Sequence, residues 1–231
     1  MTTKPQNHLL QLLPAGERAR LLALCEPVEL MLSDVLDEPG ERSRWVYFPV
    51  RAFISLIALN DEQPGLEVGM VGNEGMLGAH LALGISTAPL QALVQGGGAC
   101  WRLSAASFRK ELAASSALQR VLHRYVYVLM RQLSTSTACV RYHLIGPRLA
   151  RWLLMSQDRA LSSEFRMTQE FLSHMLGVRR VGITSAAGAL QRLGLIEYRR
   201  GELKVLDRPG LEAAACSCYA SDRQIYAITM G

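Results

Sequence analysis

The period of apolar and polar positions changes along the chain, and the changes mark out its elements. From Val28 to about Leu103 the apolar residues come in short runs: Val28–Leu32, Trp45–Phe48, Phe53–Leu59, Leu66–Val71, Leu90–Val94 and Ala99–Leu103. Turn signals separate them at Pro39-Gly40, Gln63-Pro64-Gly65 and Gly96-Gly97-Gly98. Short strands at this spacing predict an antiparallel barrel or jelly roll. Ahead of them, residues 8–24 read as helical on both sides of Pro14, with Leu9, Leu12, Leu13, Leu21, Leu22 and Leu24 as the buried surface. Between Gly72 and Pro89, Gly72, Gly75, Gly78 and Gly84 surround the apolar piece Met76–Leu83. That piece is either a small helix set into a strand connection or a loop lining a pocket.

Helical period returns over 105–140. Leu118, Val121, Leu122, Tyr125, Val128, Leu129, Gln132 and Leu133 outline one long side, and Val126 and Tyr127 widen it. A helix apolar on more than one face needs burial against its own barrel and against something more. A second copy of the chain meets that need, so Leu118, Val121, Leu122, Tyr125, Val128, Leu129 and Leu133 are expected to form a homodimer seam. An entirely intrachain core is the other reading. Arg141 to about Gln157 forms a further helix, with Pro147 at its start or at a kink, and Asp158–Phe165 is a polar connector.

Met167–Arg192 has the most specific pattern. Thr168 is an N-cap residue, Glu170 suits the first turn, and Phe171, Leu172, Met175 and Leu176 make one apolar stripe. Gly177 then ends the first helix. In the second, Ile183, Ala187 and Leu190 are the buried face, while Arg180, Thr184, Ser185, Gly188 and Gln191 fall mainly elsewhere around it. Two short helices about a glycine turn, the second with a small polar and basic face, suit a helix-turn-helix. An ordinary helical hairpin has the same apolar spacing. The residues after Arg192 favour the helix-turn-helix. Leu195–Tyr198 and Leu203–Leu206 form a hairpin around Arg199-Arg200-Gly201-Glu202, where a wing belongs, and Pro209 starts a final short helix.

Composition narrows the function. A hydrophobic fraction of 49% over 231 residues supports a real core. No window resembles an 18-residue apolar span and no secretory signal opens the sequence, so no membrane partner is expected. The five cysteines, Cys25, Cys100, Cys139, Cys216 and Cys218, are odd in number and scattered, which fits a cytoplasmic protein with free thiols. The net charge of +5 is uneven. Residues 1–140 hold 12 Lys and Arg against 12 Asp and Glu, whereas residues 141–208 hold 12 against 6. The excess sits on the segment with the helical pair, which points to double-stranded DNA before RNA or a membrane. No metal or cofactor is assigned. Cys216-x-Cys218 alone does not complete a metal site, and nothing selects a haem ligand among His80, His123, His143 and His174. Glu74 near His80 is too little for acid–base chemistry, so a small-molecule enzyme is the outside alternative.

The order of elements, together with Met167-Thr168-Gln169-Glu170-Phe171-Leu172, Met175-Leu176-Gly177-Val178-Arg179-Arg180 and Leu190-Gln191-Arg192-Leu193-Gly194-Leu195-Ile196, resembles the bacterial cyclic-AMP receptor and fumarate-nitrate regulator superfamily of transcription factors. The resemblance implies an α+β fold: an N-terminal jelly-roll, cyclic-nucleotide-binding-like sensory domain (1–104), a long dimerisation helical region (105–140) and a C-terminal winged helix-turn-helix (141–231). It also implies a homodimer on an approximately palindromic operator, and a contact with RNA polymerase. Arg180 matches an arginine of the family's recognition helix, but Arg179, Val181, Gly182 and Ser185 stand where the family carries Ser, Glu, Thr and a second Arg. The expected DNA-facing set is Thr168, Arg179, Arg180, Thr184, Ser185, Gly188, Gln191, Arg199 and Arg200. In the sensory domain, Gly78 fits the cyclic-nucleotide cassette. Ala79 replaces its Glu, and no Arg lies near Ser86-Thr87-Ala88-Pro89 to meet a cyclic phosphate. The candidate effector pocket is Gly75, Gly78, Ala79, His80 and Thr87, and its signal is unknown but not cyclic AMP. The alternative is a constitutive DNA-binding regulator whose β-domain serves only dimerisation or protein contact.

Overall fold

The computed structural model describes residues 6–60 and 63–231, so the first five residues of the expected β-rich domain lie outside it. Pro14 separates two short helices, α1 (His8–Gln11) and α2 (Ala15–Ala23). Asn7 caps α1 by accepting from the Leu10 N–H at 3.1 Å, and its amide donates to the carbonyls of Pro49 and Gly75. There follow β1 (Glu26–Leu30), β2 (Val35–Asp37), β3 (Trp45–Pro49), β4 (Phe53–Asn60), β5 (Gln63–Val71), β6 (Gln91–Gly96) and β7 (Gly98–Ser104). They form two antiparallel sheets, β1-β7-β3 and β2-β6-β4-β5. Leu30, Tyr47 and Cys100 from the first sheet and Ile54, Val71 and Val94 from the second make one buried cluster. This is the double-sheet jelly-roll arrangement.

One reading of this region changes, and an open one resolves to the small helix. The Gln63-Pro64-Gly65 turn signal lies inside β5, where the pairing with β4 slips register and Gly65 takes φ +75°. The piece at Met76–Leu83 contains a 3-10 helix, Ala79–Leu83, bounded by left-handed Gly78 and Gly84.

The helical region after the sheets is two helices, α3 (Ala105–Ala114) and α4 (Ser116–Tyr142). Ser104 and Ser115 cap them, accepting from the N–H groups of Ser107 and Leu118 at 3.1 and 2.9 Å. After His143 and Leu144 comes α5 (Ile145–Ala160), with Pro147 in its first turn, where a missing N–H breaks no helical bond. The chain continues through β8 (Glu164–Arg166), α6 (Gln169–Leu176), α7 (Arg180–Arg192), β9 (Ile196–Arg199), β10 (Glu202–Val205), α8 (Arg208–Ala214) and α9 (Cys218–Met230). The expected polar connector is thus shortened at both ends, by the last turn of α5 and by β8, which pairs with β10. A second terminal helix, α9, packs along α4.

The expected dimer seam is corrected. Leu118, Leu122, Tyr125 and Val128 are buried within the chain, in a cluster with Phe48, Met76 and Phe108, and Val121 and Leu129 pack against the same cluster. The exposed apolar side of α4 instead carries Tyr127, Met130 and Val140, and Leu133 is half-buried. Apolar period located the helix but not which face its own β-domain takes.

The two ends of the molecule share a core. Phe53, Ile57 and Met70 of the β-domain pack in one cluster with Leu149, Trp152 and Leu153 of α5 and with the buried faces of α6 and α7. Glu67 of β5 sits on this boundary. It accepts from Trp152 Nε1 at 2.9 Å and from the Ser55 hydroxyl. Burial pushes its carboxyl up from 4.5 to about 7, against the opposing hydrogen bonds of Ser55 and Trp152. The folded chain therefore holds a proton that the unfolded chain releases. The resulting stability is complete below the unfolded value and is lost as pH rises through about 7. Glu67→Gln keeps a neutral side chain at every pH. Between about pH 5 and about pH 8, wild type is expected to lose up to about 3 kcal/mol relative to Glu67→Gln in urea unfolding. Parallel stability curves for the two proteins would refute this origin.

Candidate nucleic-acid interface

The helical pair is built by local chemistry. Thr168 Oγ1 accepts from the Phe171 N–H at 3.1 Å and so caps α6. Leu172, Met175 and Leu176 are buried, and Phe171 is half-buried. Gly177 has φ +61° and donates to the His174 carbonyl, while the Val178 N–H reaches Ser173 O at 2.9 Å. A side chain at Gly177 is excluded twice, by the left-handed backbone and by Leu66, whose Cδ1 would lie 2.8 Å from an added Cβ. Ile183, Ala186, Ala187 and Leu190 bury the inner face of α7.

The opposite face of α7 is open. Arg180, Val181, Thr184, Ser185, Gln191 and Arg192 are exposed, and Arg179 precedes them at the N-cap. Thr184 is exposed but engaged: its hydroxyl lies 2.6 Å from Gln169 Oε1 and 3.1 Å from Arg180 O, tying α7 to α6. Gly188 is half-buried, and an added Cβ would lie 3.5 Å from a guanidinium nitrogen of Arg192. Val181 is 72% exposed, an apolar side chain in the middle of a polar face.

The wing is the hairpin β9–β10. Arg199 pairs with Glu202, and the two residues between them, Arg200 and Gly201, have φ +52° and +85°. Positive φ at both positions is the two-residue turn that matches strand twist. The Tyr198 hydroxyl donates to Met167 O at 2.9 Å, and the Met167 N–H donates to Gly201 O at 2.7 Å. The wing is therefore fastened beside the start of α6. Arg199 and Arg200 are exposed, as is Thr168. Arg166, which the spacing does not single out, is exposed beside them on β8, and Arg192 is equally absent from the expected set. Among the described residues, none of Arg166, Arg179, Arg180, Arg192, Arg199 and Arg200 is in an ion pair with a carboxylate. Their field is left uncompensated by salt bridges and suits a polyanion.

The candidate effector residues separate. Gly78, Ala79 and His80 line a cavity of about 180 Å³ with Leu56, Val71, Leu129 and Met130. Gly75 is elsewhere, packed so closely on the Tyr125 ring that a Cβ would overlap it. Thr87 is exposed and bridges Arg42 through the backbone, outside that cavity. Among the described residues no Lys or Arg lines the cavity, so a cyclic phosphate there meets no cation from them. Its titratable groups are Asp37, raised to about 6 by burial, and His80, lowered by burial, whose Nε2 lies 3.1 Å from Ser43 Oγ. Glu74 does not serve His80: it pairs with Arg159 at 2.8 Å.

The structure also gathers residues that sequence spacing left apart. Cys216 and Cys218 meet Cys139 and His143 from the end of α4. No helix among the described residues is long and apolar enough to cross a membrane.

A family model described as the Crp-like helix-turn-helix domain matches residues 147–214. No curated protein sequence matches the chain. Among solved structures, FixK2 from Bradyrhizobium japonicum is similar at a TM-score of 0.70 and 14% identity, over 84% of this chain and 98% of that one. TTHB099, a CRP-family transcriptional regulator from Thermus thermophilus, is similar at 0.67 and 17%, over 81% of this chain and 96% of that one. The c-di-GMP responsive global regulator CLP from Xanthomonas campestris is similar at 0.60 and 18%, over 84% of this chain and 100% of that one. At these identities the likenesses concern the fold, and the matched domain contains α5 from Pro147, α6, α7, the wing and α8. Residues 147–214 thus match the Crp-like helix-turn-helix domain, and the double sheets and long helix that precede them share the fold of these solved regulators.

Proposed function

We propose that the protein is a homodimeric, sequence-specific transcription regulator of the cytoplasm that inserts α7 of each subunit into the major groove of an approximately palindromic operator, with half-sites one helical turn apart. The observation that carries this reading is the open face of α7, flanked by a wing, with unpaired arginines on both. Arg180 and Gln191 have the donors that read base edges, whereas Arg199 and Arg200 at the tip of the wing suit phosphates. Val181, exposed where an acid would accept from cytosine, offers only an apolar contact such as a thymine methyl group, so the base preference differs from one read by Glu.

Dimerisation is proposed through the exposed stripe of α4 at Tyr127, Met130 and Val140, which are 49%, 61% and 40% exposed in the single chain. Signal sensing is proposed at the cavity behind Gly78–His80, for an uncharged or largely apolar ligand, because its lining is apolar apart from Asp37 and His80. The constitutive reading keeps the same DNA interface and dispenses with the ligand.

An operator selected from a random duplex library tests these assignments together. Arg180→Glu should weaken binding at least about tenfold without altering the sedimentation of the protein. Unaltered affinity would remove Arg180 from the interface. Replacing Arg199 and Arg200 by Ala should weaken all sequences alike and flatten the salt dependence by about one counterion per arginine. A change in base preference instead would make them base readers. Met130→Glu should give monomers in analytical ultracentrifugation with little change in unfolding, whereas Leu122→Ala should cost about 2–5 kcal/mol of stability. Dimers that survive Met130→Glu would move the seam. Exhaustive removal of small molecules should change operator affinity reversibly, and unchanged affinity would favour the constitutive reading.

A further inference from the structure

Cys139 lies in the last turn of α4 and His143 is its C-cap, four residues on, so both face the same side. Cys216 and Cys218 flank Ser217, the N-cap of α9. The chain brings these segments together although they are 77 residues apart. Cys139 Sγ and Cys216 Sγ are 3.5 Å apart, and Cys218 Sγ is 3.5 Å from His143 Nδ1. All four ligand atoms lie within 4.8 Å of one another. The three thiols are buried, unoxidised, and form a cluster separate from the apolar cores.

These distances have a specific meaning. A tetrahedral zinc ion with Zn–S bonds of about 2.3 Å holds neighbouring sulfurs about 3.8 Å apart. The Cys139–Cys216 sulfur pair at 3.5 Å is close to that edge length, the Cys218 Sγ–His143 Nδ1 pair at 3.5 Å suits one thiolate and the shorter Zn–N bond of about 2.0–2.1 Å, and all four atoms lie within 4.8 Å of one another. The set is too tight for a multi-iron cluster, whose ligands stand on separate irons. Plain packing would not call for three sulfurs and an imidazole nitrogen converging on one point. Three thiolates around a dication leave one negative charge, and Arg148 and Arg151 are close enough to act coulombically on Cys139 and Cys216. We propose that Cys139, His143, Cys216 and Cys218 bind one zinc ion per chain, a site that clamps the end of α4 to the start of α9. All three sulfurs would bind as thiolates, with any proton they still hold released to solvent, and His143 would coordinate through Nδ1.

The location gives the clamp a consequence. His143 and Leu144 are the joint between α4 and α5, and Arg148 donates to the Leu176 carbonyl at the end of α6. A filled site fixes that joint and with it the placement of α6 and α7. This consequence rests on the DNA-binding reading, whereas the metal site does not.

The full chain, purified under reducing conditions, should contain one zinc by native mass spectrometry and elemental analysis. After chelation, Co²⁺ should give the intense visible bands of a tetrahedral thiolate site, displaced by Zn²⁺. Cys216→Ser and Cys218→Ser should lose the ion, while Cys25→Ser and Cys100→Ser keep it. Should the buried cysteine variants misfold, His143→Gln carries the test: His143 is half-buried at a helix end, and its loss should weaken Zn²⁺ binding at least about tenfold. A chain that stays free of Zn²⁺ and gives no Co²⁺ bands, binding indifferent to these four residues, iron with inorganic sulfide, or a Cys139–Cys216 disulfide would each overturn the site. Zinc bound but without effect on operator affinity would overturn only the role at the joint. Absent DNA binding with one zinc bound would sink the DNA reading and leave the metal site standing.

Discussion

A guanidinium is held where three helices meet. Arg151 of α5 donates to Asp222 of α9 at 2.7 Å and to the Ser136 hydroxyl of α4 at 3.2 Å, with both charges buried. An unpaired charge in that position costs several kcal/mol, so the arrangement depends on α9 returning to supply the carboxylate. Even so, Arg151 Nε and Asp222 Oδ1 have no hydrogen-bond partner among the described residues. Burial pushes the Asp222 carboxyl up, and Arg151 opposes it. Once α9 is docked there, Tyr226 farther along donates to the Glu74 carbonyl at 2.6 Å, and its hydroxyl lies 2.8 Å from His8 Nδ1. The end of the chain is thereby stitched to both the β-domain and the first helix. The cysteine cluster sits at the other end of the same helix.

The legible parts of the molecule were those whose signals are local. Gly177 after an apolar stripe, Thr168 before it, and Arg200-Gly201 between two alternating runs each specify a conformation within a few residues, and the structure has each one. The short strands β2 and β8 left no trace because three residues cannot display a period. α9 was hidden for a different reason: its buried residues are Cys218, Tyr219, Asp222 and Met230, one of them a carboxylate, and together they form no continuous apolar stripe. On α4 the difficulty was excess. Apart from the exposed face of Arg120, His123, Arg124 and Arg131, Leu118 to Leu133 is apolar over a wide arc, so period alone could not tell which part of that arc its own β-domain covers. Arg179, Arg180, Arg199 and Arg200 could be listed from sequence, whereas Arg166 and Arg192 could not, and the lack of carboxylate partners for all six is a property of the fold. The Cys139–His143–Cys216–Cys218 group was likewise unreadable, since no short spacing joins its halves.

The β-domain has kept its double sheets while its candidate cavity is lined by Leu56, Val71, Leu129 and Met130. Leu129 and Met130 belong to α4, so a ligand in the cavity would touch the sheet domain and the long helix at once. Asp37 and His80 give such a ligand two polar anchors without supplying a positive clamp.

The β4–β5 hairpin meets the turn between α6 and α7 where Leu66 lies against Gly177. Leu66 follows the slipped register at Gly65, and its methyl group fills the space that a side chain on the helix turn would take. A Cβ added at Gly177 would lie 2.8 Å from Leu66 Cδ1, so a bare glycine lets the turn approach the hairpin at this point. The two halves therefore meet without a linker between them, at this methyl group and through the core that Phe53, Ile57 and Met70 share with Leu149 and Trp152.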